Sequence, residues 1–137
     1  LLLLSGYVEE GAAKVVTALI NRDVRLAESV VLGDGEIDRL EIKIETECEK
    51  IFVLQGPVAR DMRFVVASLK ISSYLERMGD LNKKIGKNVM YLCGVPPTPA
   101  EVDFREIAQR ARSMVKRSMY AFVNRDVALA REVMTED

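Results

Sequence analysis

The sequence predicts an all-α chain, a three-helix bundle followed by the first helix of a second bundle. Three observations point there. Ala, Val, Leu, Glu, Lys and Arg dominate a chain of 137 residues that lacks Trp, a composition that favours helices. Apolar residues recur at helical spacing in four segments punctuated by glycine or proline. A ten-residue block also recurs at an offset of 103 positions.

The first helix is expected from about Ser5 to Val31, with Val8, Ala12, Val15, Val16, Leu19 and Ile20 at helical spacing, and Gly33-Asp34-Gly35 is expected to break it. The second runs from about Glu36 to Leu54 on a seam of Ile37, Leu40, Ile44, Cys48 and Ile51. Gln55-Gly56-Pro57 ends it, and Pro57 suits the first turn of the third helix. That third helix, about Val58 to Leu92, is long enough to span roughly 50 Å. Val58, Met62, Val65 and Leu69 form one stripe on it. Ile71, Leu75, Met78, Leu81, Ile85 and Val89 form a second on another azimuth, so its two ends are expected to pack on different neighbours.

Cys93-Gly94-Val95-Pro96-Pro97 is the one strong boundary, dividing residues 1–93, a linker at 94–98, and residues 99–137. Thr98-Pro99-Ala100-Glu101 reads as a capping box with proline at the first helical position. A fourth helix follows, with Phe104, Ile107, Ala111, Met114, Ser118 and Phe122 in its seam.

The repeated block is Asn21-Arg22-Asp23-Val24-Arg25-Leu26-Ala27-Glu28-Ser29-Val30, which returns as Asn124-Arg125-Asp126-Val127-Ala128-Leu129-Ala130-Arg131-Glu132-Val133, identical at seven of ten positions. Asp34 has its counterpart in Asp137. Asp23 and Asp126 can each cap a short helical piece, and identity at polar positions favours duplication over chance amphipathicity. The fourth helix cannot bury its seam alone. It needs further chain, a partner such as a second copy, or the side of the first bundle. Opening on Leu1 without Met and stopping at Asp137 in an acidic stretch, the sequence reads as cut or missing at both ends.

Composition also excludes. A net charge of −1 with both signs interleaved argues against nonspecific nucleic-acid binding, which needs a concentrated basic patch. Cys48 and Cys93 do not resemble a disulfide framework and read as buried thiols. The absence of His removes Ser-His-Asp chemistry, zinc-protease motifs and the Glu-x-x-His pairs of di-iron bundles. No apolar run approaches the length of a membrane span.

The chemistry-bearing residues are acids. Glu76 and Asp80, spaced i, i+4 around Gly79, share one helix face, and a mid-helix glycine asks for a close neighbour. Asp38, Glu41 and Glu45 share a face of the second helix. One reading is a solvated surface with pairs such as Asp80–Lys84. The other is that the helices are antiparallel neighbours presenting their acids to each other, a site for Mg²⁺, Mn²⁺, Zn²⁺ or Fe. Asp61, in the first turn of the third helix, suits the helix dipole. It lies about 22 Å along the helix from Glu76, too far for one cluster to include both easily.

Gln55-Gly56-Pro57-Val58-Ala59-Arg60-Asp61-Met62-Arg63, then Leu69-Lys70-Ile71, then Leu75-Glu76-Arg77-Met78-Gly79-Asp80 resemble the signature of the PhoU family, the phosphate-uptake regulators. The stretch from Asp34 to Cys48 resembles the segment that precedes it there. The resemblance implies tandem three-helix bundles and Glu/Asp-x-x-x-Asp motifs that hold multinuclear iron or zinc. By position these are Glu41 with Glu45 and Glu76 with Asp80, with Asp38 and Asp61 as additional acidic candidates. Leu81 stands where the family often has histidine or another small or polar residue, which leaves coordination carboxylate-only. The resemblance further implies a cytoplasmic homodimer that restrains the ATPase of an ABC phosphate transporter and signals to a sensor histidine kinase, meeting the membrane only through these partners. No nucleophile–base pair or phosphate-cradling loop supports catalysis. Two alternatives remain: an accessory domain of another membrane transporter, and a carboxylate-bridged helical metalloenzyme.

Overall fold

A computed structural model describes residues 1–56, 58–97 and 104–136. Among them are five helices and no strand: α1 (Leu2–Asn21), α2 (Val24–Gln55), α3 (Ala59–Cys93), α4 (Phe104–Asn124) and α5 (Val127–Met134). Pro57, the Thr98–Glu101 capping box and Asp137 lie outside the described residues.

The all-α architecture is as the sequence predicts, with the first break moved and the last segment divided. The first break falls at Arg22-Asp23, and α2 runs unbroken through Gly33-Asp34-Gly35. Glycine costs a helix about 1 kcal/mol but removes no backbone donor, and Asp34 between the two glycines is buried and ion-paired across to α3. Arg22 instead takes a left-handed conformation (φ 53°), and the Asp23 carboxylate accepts the Leu26 N–H at 3.0 Å as N-cap. The second copy repeats the device: Arg125 has φ 55°, and Asp126 accepts the Leu129 N–H at 3.0 Å. The sequence repeat is thus a repeat of one turn, and the segment expected as a single fourth helix is two.

The bundle seams follow a spacing of three and four residues, the period that lets neighbouring helices interlock. On α3 the buried positions are Val65, Ser68, Ser72, Leu75, Gly79, Asn82, Gly86 and Val89. Each expected stripe is only partly right: Val58 and Met62 of the first, and Leu81 and Ile85 of the second, are exposed. Small and polar residues hold their places and bring the helices close. A Cβ on Gly86 would stand 3.1 Å from the Ala27 carbonyl oxygen, and buried Asn82 donates to the Val8 carbonyl at 2.9 Å.

Leu4, Val8, Ile37, Leu75 and Met119 form one core cluster, while Ala18, Ala27 and Val89 form another toward the far end of α3. Met119 comes from α4, so the fourth helix lies against the side of the first bundle. Arg22 closes the far end: its guanidinium donates to the carbonyls of Leu92 (2.8 Å), Cys93 (3.1 Å) and Val95. These carbonyls lie in the last turn of α3 and just beyond it, where a cation also suits the helix dipole. Both cysteines are free, Cys48 buried and Cys93 half-buried. No helix among the described residues is long and apolar enough to cross a membrane.

Candidate acidic site between two helices

On α2 the seam positions Ala27, Val30, Asp34, Ile37, Glu41, Ile44 and Cys48 repeat at the same three-and-four spacing. Two acids therefore occupy places that would ordinarily be apolar. Asp34 is 5% exposed and Glu41 is half-buried, while Asp38 and Glu45 flank them in solvent. Across the interface, half-buried Glu76 and exposed Asp80 stand one turn apart on α3.

Gly79 explains how the two walls come together. A Cβ there would lie 2.7 Å from Ile37 Cδ1, closer than real Cβ atoms approach. The neighbour at Gly79 is thus a side chain of α2; at Gly86 it is both backbone, the Ala27 carbonyl, and side chain, that of Val31.

The charges sense one another. Burial pushes the Glu76 carboxyl above its ordinary range, and the negative charges of Asp80, Glu41, Asp38 and Asp34 add to the effect. Burial likewise raises Glu41, with contributions from Glu45 and Asp38, and a hydrogen bond with Ser73 works the other way. Like charges facing one another disfavour the ionised form in this way. Lys83 answers part of this charge. Its ammonium is bound to the Asp34 carboxylate and lies 3.9 Å from Asp80. Hydrogen bonding to Asp34 raises the Lys83 ammonium, assisted by the charges of Asp34, Asp80 and Asp38. The partner of Asp80 is therefore Lys83, not Lys84.

The structure brings together Asp38, Glu41, Glu76 and Asp80 of the expected residues, with Glu45 acting on Glu41. Asp61 stands apart, exposed in the first turn of α3. Asp34 is the member that sequence reasoning missed, and with it the partner of Lys83, a lysine expected one turn beyond Glu76 and Asp80 on the same face. The signal for Asp34 was its register with Ile37 and Ile44, hidden by the two flanking glycines. The set has the donor chemistry of a hard-cation site, being oxygen-only, partly desolvated and self-repelling, but not its geometry. Among the described residues no three His, Cys, Asp or Glu side chains converge closely enough to hold an ion, so the arrangement is an acidic strip on two helices.

Fold and site define an all-α helical-repeat protein with a carboxylate strip between two helices of its bundle. Residues 1–89 match the family model of the PhoU domain. The chain belongs to the PhoU family. It is 36% identical over 130 residues to the phosphate-specific transport system accessory protein PhoU homolog of Aquifex aeolicus, covering 95% of this chain and 59% of that protein. It is also 36% identical over 138 residues to the protein of that name from Pseudomonas putida, covering all of this chain and 54% of the relative. The crystal structure of PhoU from Pseudomonas aeruginosa superposes with a TM-score of 0.90 at 32% identity, over 96% of this chain and 63% of that one. The chain thus spans between half and three-fifths of the length of these two curated relatives.

Proposed function

We propose that this chain acts in the regulation of phosphate uptake, as a cytoplasmic, non-catalytic accessory protein that works through protein–protein contacts. The relatives bear the name of accessory protein to a phosphate-specific transport system, and the reading extends that role to this chain. Its partners are the ATPase of an ABC phosphate transporter and a sensor histidine kinase, and its working form is a homodimer. The observation that carries the mechanism is the strip of Asp34, Asp38, Glu41, Glu76 and Asp80, in which half-buried acids are held against one another. By the family resemblance, Glu41, Glu45, Glu76 and Asp80 are the residues that would hold iron or zinc. When bound, the metal supplies positive charge that relieves the repulsion and shapes the contact face.

Two measurements test this reading. A pull-down with the transporter ATPase and the kinase cytoplasmic domain as baits recovers the chain; recovery by neither sinks the regulatory reading. Elemental analysis finds iron or zinc in the purified protein, and Glu76→Ala with Asp80→Ala lowers the stoichiometry while the helical circular dichroism persists. Protein free of transition metal before mutation rejects the metal claim.

A further inference from the structure

The outer face of α3, turned away from the buried seam, carries an ordered pattern of its own. Arg63, Lys70, Arg77 and Lys84 recur along it every seven residues, all exposed, and Tyr91 continues the register. Three or four residues beyond the first three cations stand Val66, Tyr74 and Leu81, which are 41%, 65% and 51% exposed. The ridge runs for about 42 Å at 1.5 Å per residue, and no acid stands on it. Exposed cations elsewhere pair within their own helices, Lys14 with Glu10, Lys50 with Glu47 and Arg110 with Glu106. Among the described residues the four ridge cations make no ion pair. The sequence explains this. No acid lies three or four residues from Arg63 or Lys70, and Asp80, the one acid so placed for Arg77 and Lys84, lies 3.9 Å from Lys83 instead.

We propose that this face of α3 docks an acidic amphipathic helix of a partner protein, one with Glu or Asp at seven-residue intervals and apolar residues between them. Charge complementarity names the acids, because unpaired cations on one line match carboxylates on another. Tyr74 and Leu81 name the apolar residues, since a covering side chain takes their surface out of water. The period names the helix. On a straight α-helix a seven-residue repeat drifts about 20° per heptad, the line that a second helix follows when it crosses at about 20°. A bilayer fits the same charges less well. Helices that lie in a membrane surface separate an apolar face from a basic one, whereas here cation and apolar side chain alternate on one line. Glu76 and Asp80 also flank the ridge on the side toward α2, where an anionic surface would repel them. The face is distinct from the acidic strip and needs no metal.

The test is fluorescence anisotropy of the full chain with a labelled helical peptide of about 28 residues, the length of the ridge, carrying Glu at every seventh position and Leu midway. A scrambled peptide of the same composition and vesicles of phosphatidylglycerol with phosphatidylcholine are the comparison probes. Arg77→Glu/Lys84→Glu is expected to weaken binding of the ordered peptide about tenfold, because two exposed attractions become repulsions. Arg25→Glu/Lys43→Glu makes the same change of charge at exposed positions of α2 and leaves the affinity within about twofold, its charges being screened from the ridge. Tyr74→Ser/Leu81→Ser keeps the charge and weakens binding about tenfold through lost burial. All of these positions are exposed, so each variant keeps its helical circular dichroism. Equal loss in the α2 variant, or equal binding of the scrambled peptide, reduces the effect to net charge and overturns the proposal. Unchanged affinity in Tyr74→Ser/Leu81→Ser overturns its apolar half and with it the amphipathic helix. Binding of the vesicles without the peptide makes the face a membrane surface, and binding of neither leaves it a solvated one; both results reject the docking site.

Discussion

Gly79→Ala places a methyl group where two effects of similar size oppose each other. Replacing a mid-helix glycine by alanine gains about 1 kcal/mol in helix propensity. The added Cβ would meet Ile37 Cδ1 at 2.7 Å and Cγ2 at 3.0 Å, and Ile37 is only 6% exposed in the main core cluster. Ile37 has to leave its rotamer or push α2 away, and overpacking of this kind costs about 1–3 kcal/mol. The expected net effect is a loss of about 1 kcal/mol. Ile37→Val removes Cδ1, the atom in worst conflict, and by itself costs about 1 kcal/mol in lost burial. The two changes should therefore compensate: the double variant is less destabilised than the sum of the singles by about 1 kcal/mol. Urea denaturation followed by circular dichroism on the four proteins gives the coupling directly. Strict additivity, or a Gly79→Ala variant more stable than the parent by the full propensity gain, would refute the view that Gly79 exists to admit Ile37.

Two further predictions concern acids and the turn. Because the carboxyl groups of Glu41 and Glu76 sit above their ordinary value of 4.5 in the fold, the folded state takes up their protons more readily than the unfolded chain. Their ionisation destabilises the fold above the raised values, and that penalty is relieved as pH falls through them toward 4.5. Urea midpoints of Glu41→Gln/Glu76→Gln should accordingly depend less on pH than the parent's between pH 7 and 4.5; an unchanged difference across that window rejects the coupling. At the α1–α2 turn, Arg22→Ala loses the three carbonyl contacts and keeps the left-handed backbone. Arg22→Gly loses the same contacts but relieves about 1 kcal/mol of backbone strain. Thermal melts should rank the glycine variant above the alanine variant, and the reverse order contradicts the assigned conformation.

Much of the bundle was legible because its helices carry period and punctuation. The α3 boundaries differ from expectation by one residue at each end. The misplaced break shows where such reading fails. Gly33 and Gly35 look like a turn because glycine is permissive, but permission to turn does not oblige the chain to do so. The actual turn uses Arg22, a residue with no local preference for φ > 0. It is stabilised by Asp23 locally and by carbonyls some seventy positions away. A long-range contact of that kind leaves no periodic trace. The seam of α3 was obscured similarly, since Ser68, Ser72, Asn82 and Gly86 read as surface types until their three-and-four spacing is matched to burial. At the site, paired acids at i, i+4 announced themselves. The pairing of Lys83 did not, because its partner Asp34 lies on another helix, and which lysine of Lys83 and Lys84 faces it depends on helix rotation.

Arg22 also has a mechanical consequence. The chain leaves the bundle at Val95, and Pro96 and Pro97 stiffen the backbone just beyond. The guanidinium that holds Leu92 and Cys93 also holds the Val95 carbonyl, so the departure is pinned by a side chain from the turn between α1 and α2. A twist applied to the following segment is resisted at the α1–α2 turn before it reaches the apolar interior. That corner ties the exit of α3 to the α1–α2 turn, two points some seventy residues apart in the chain.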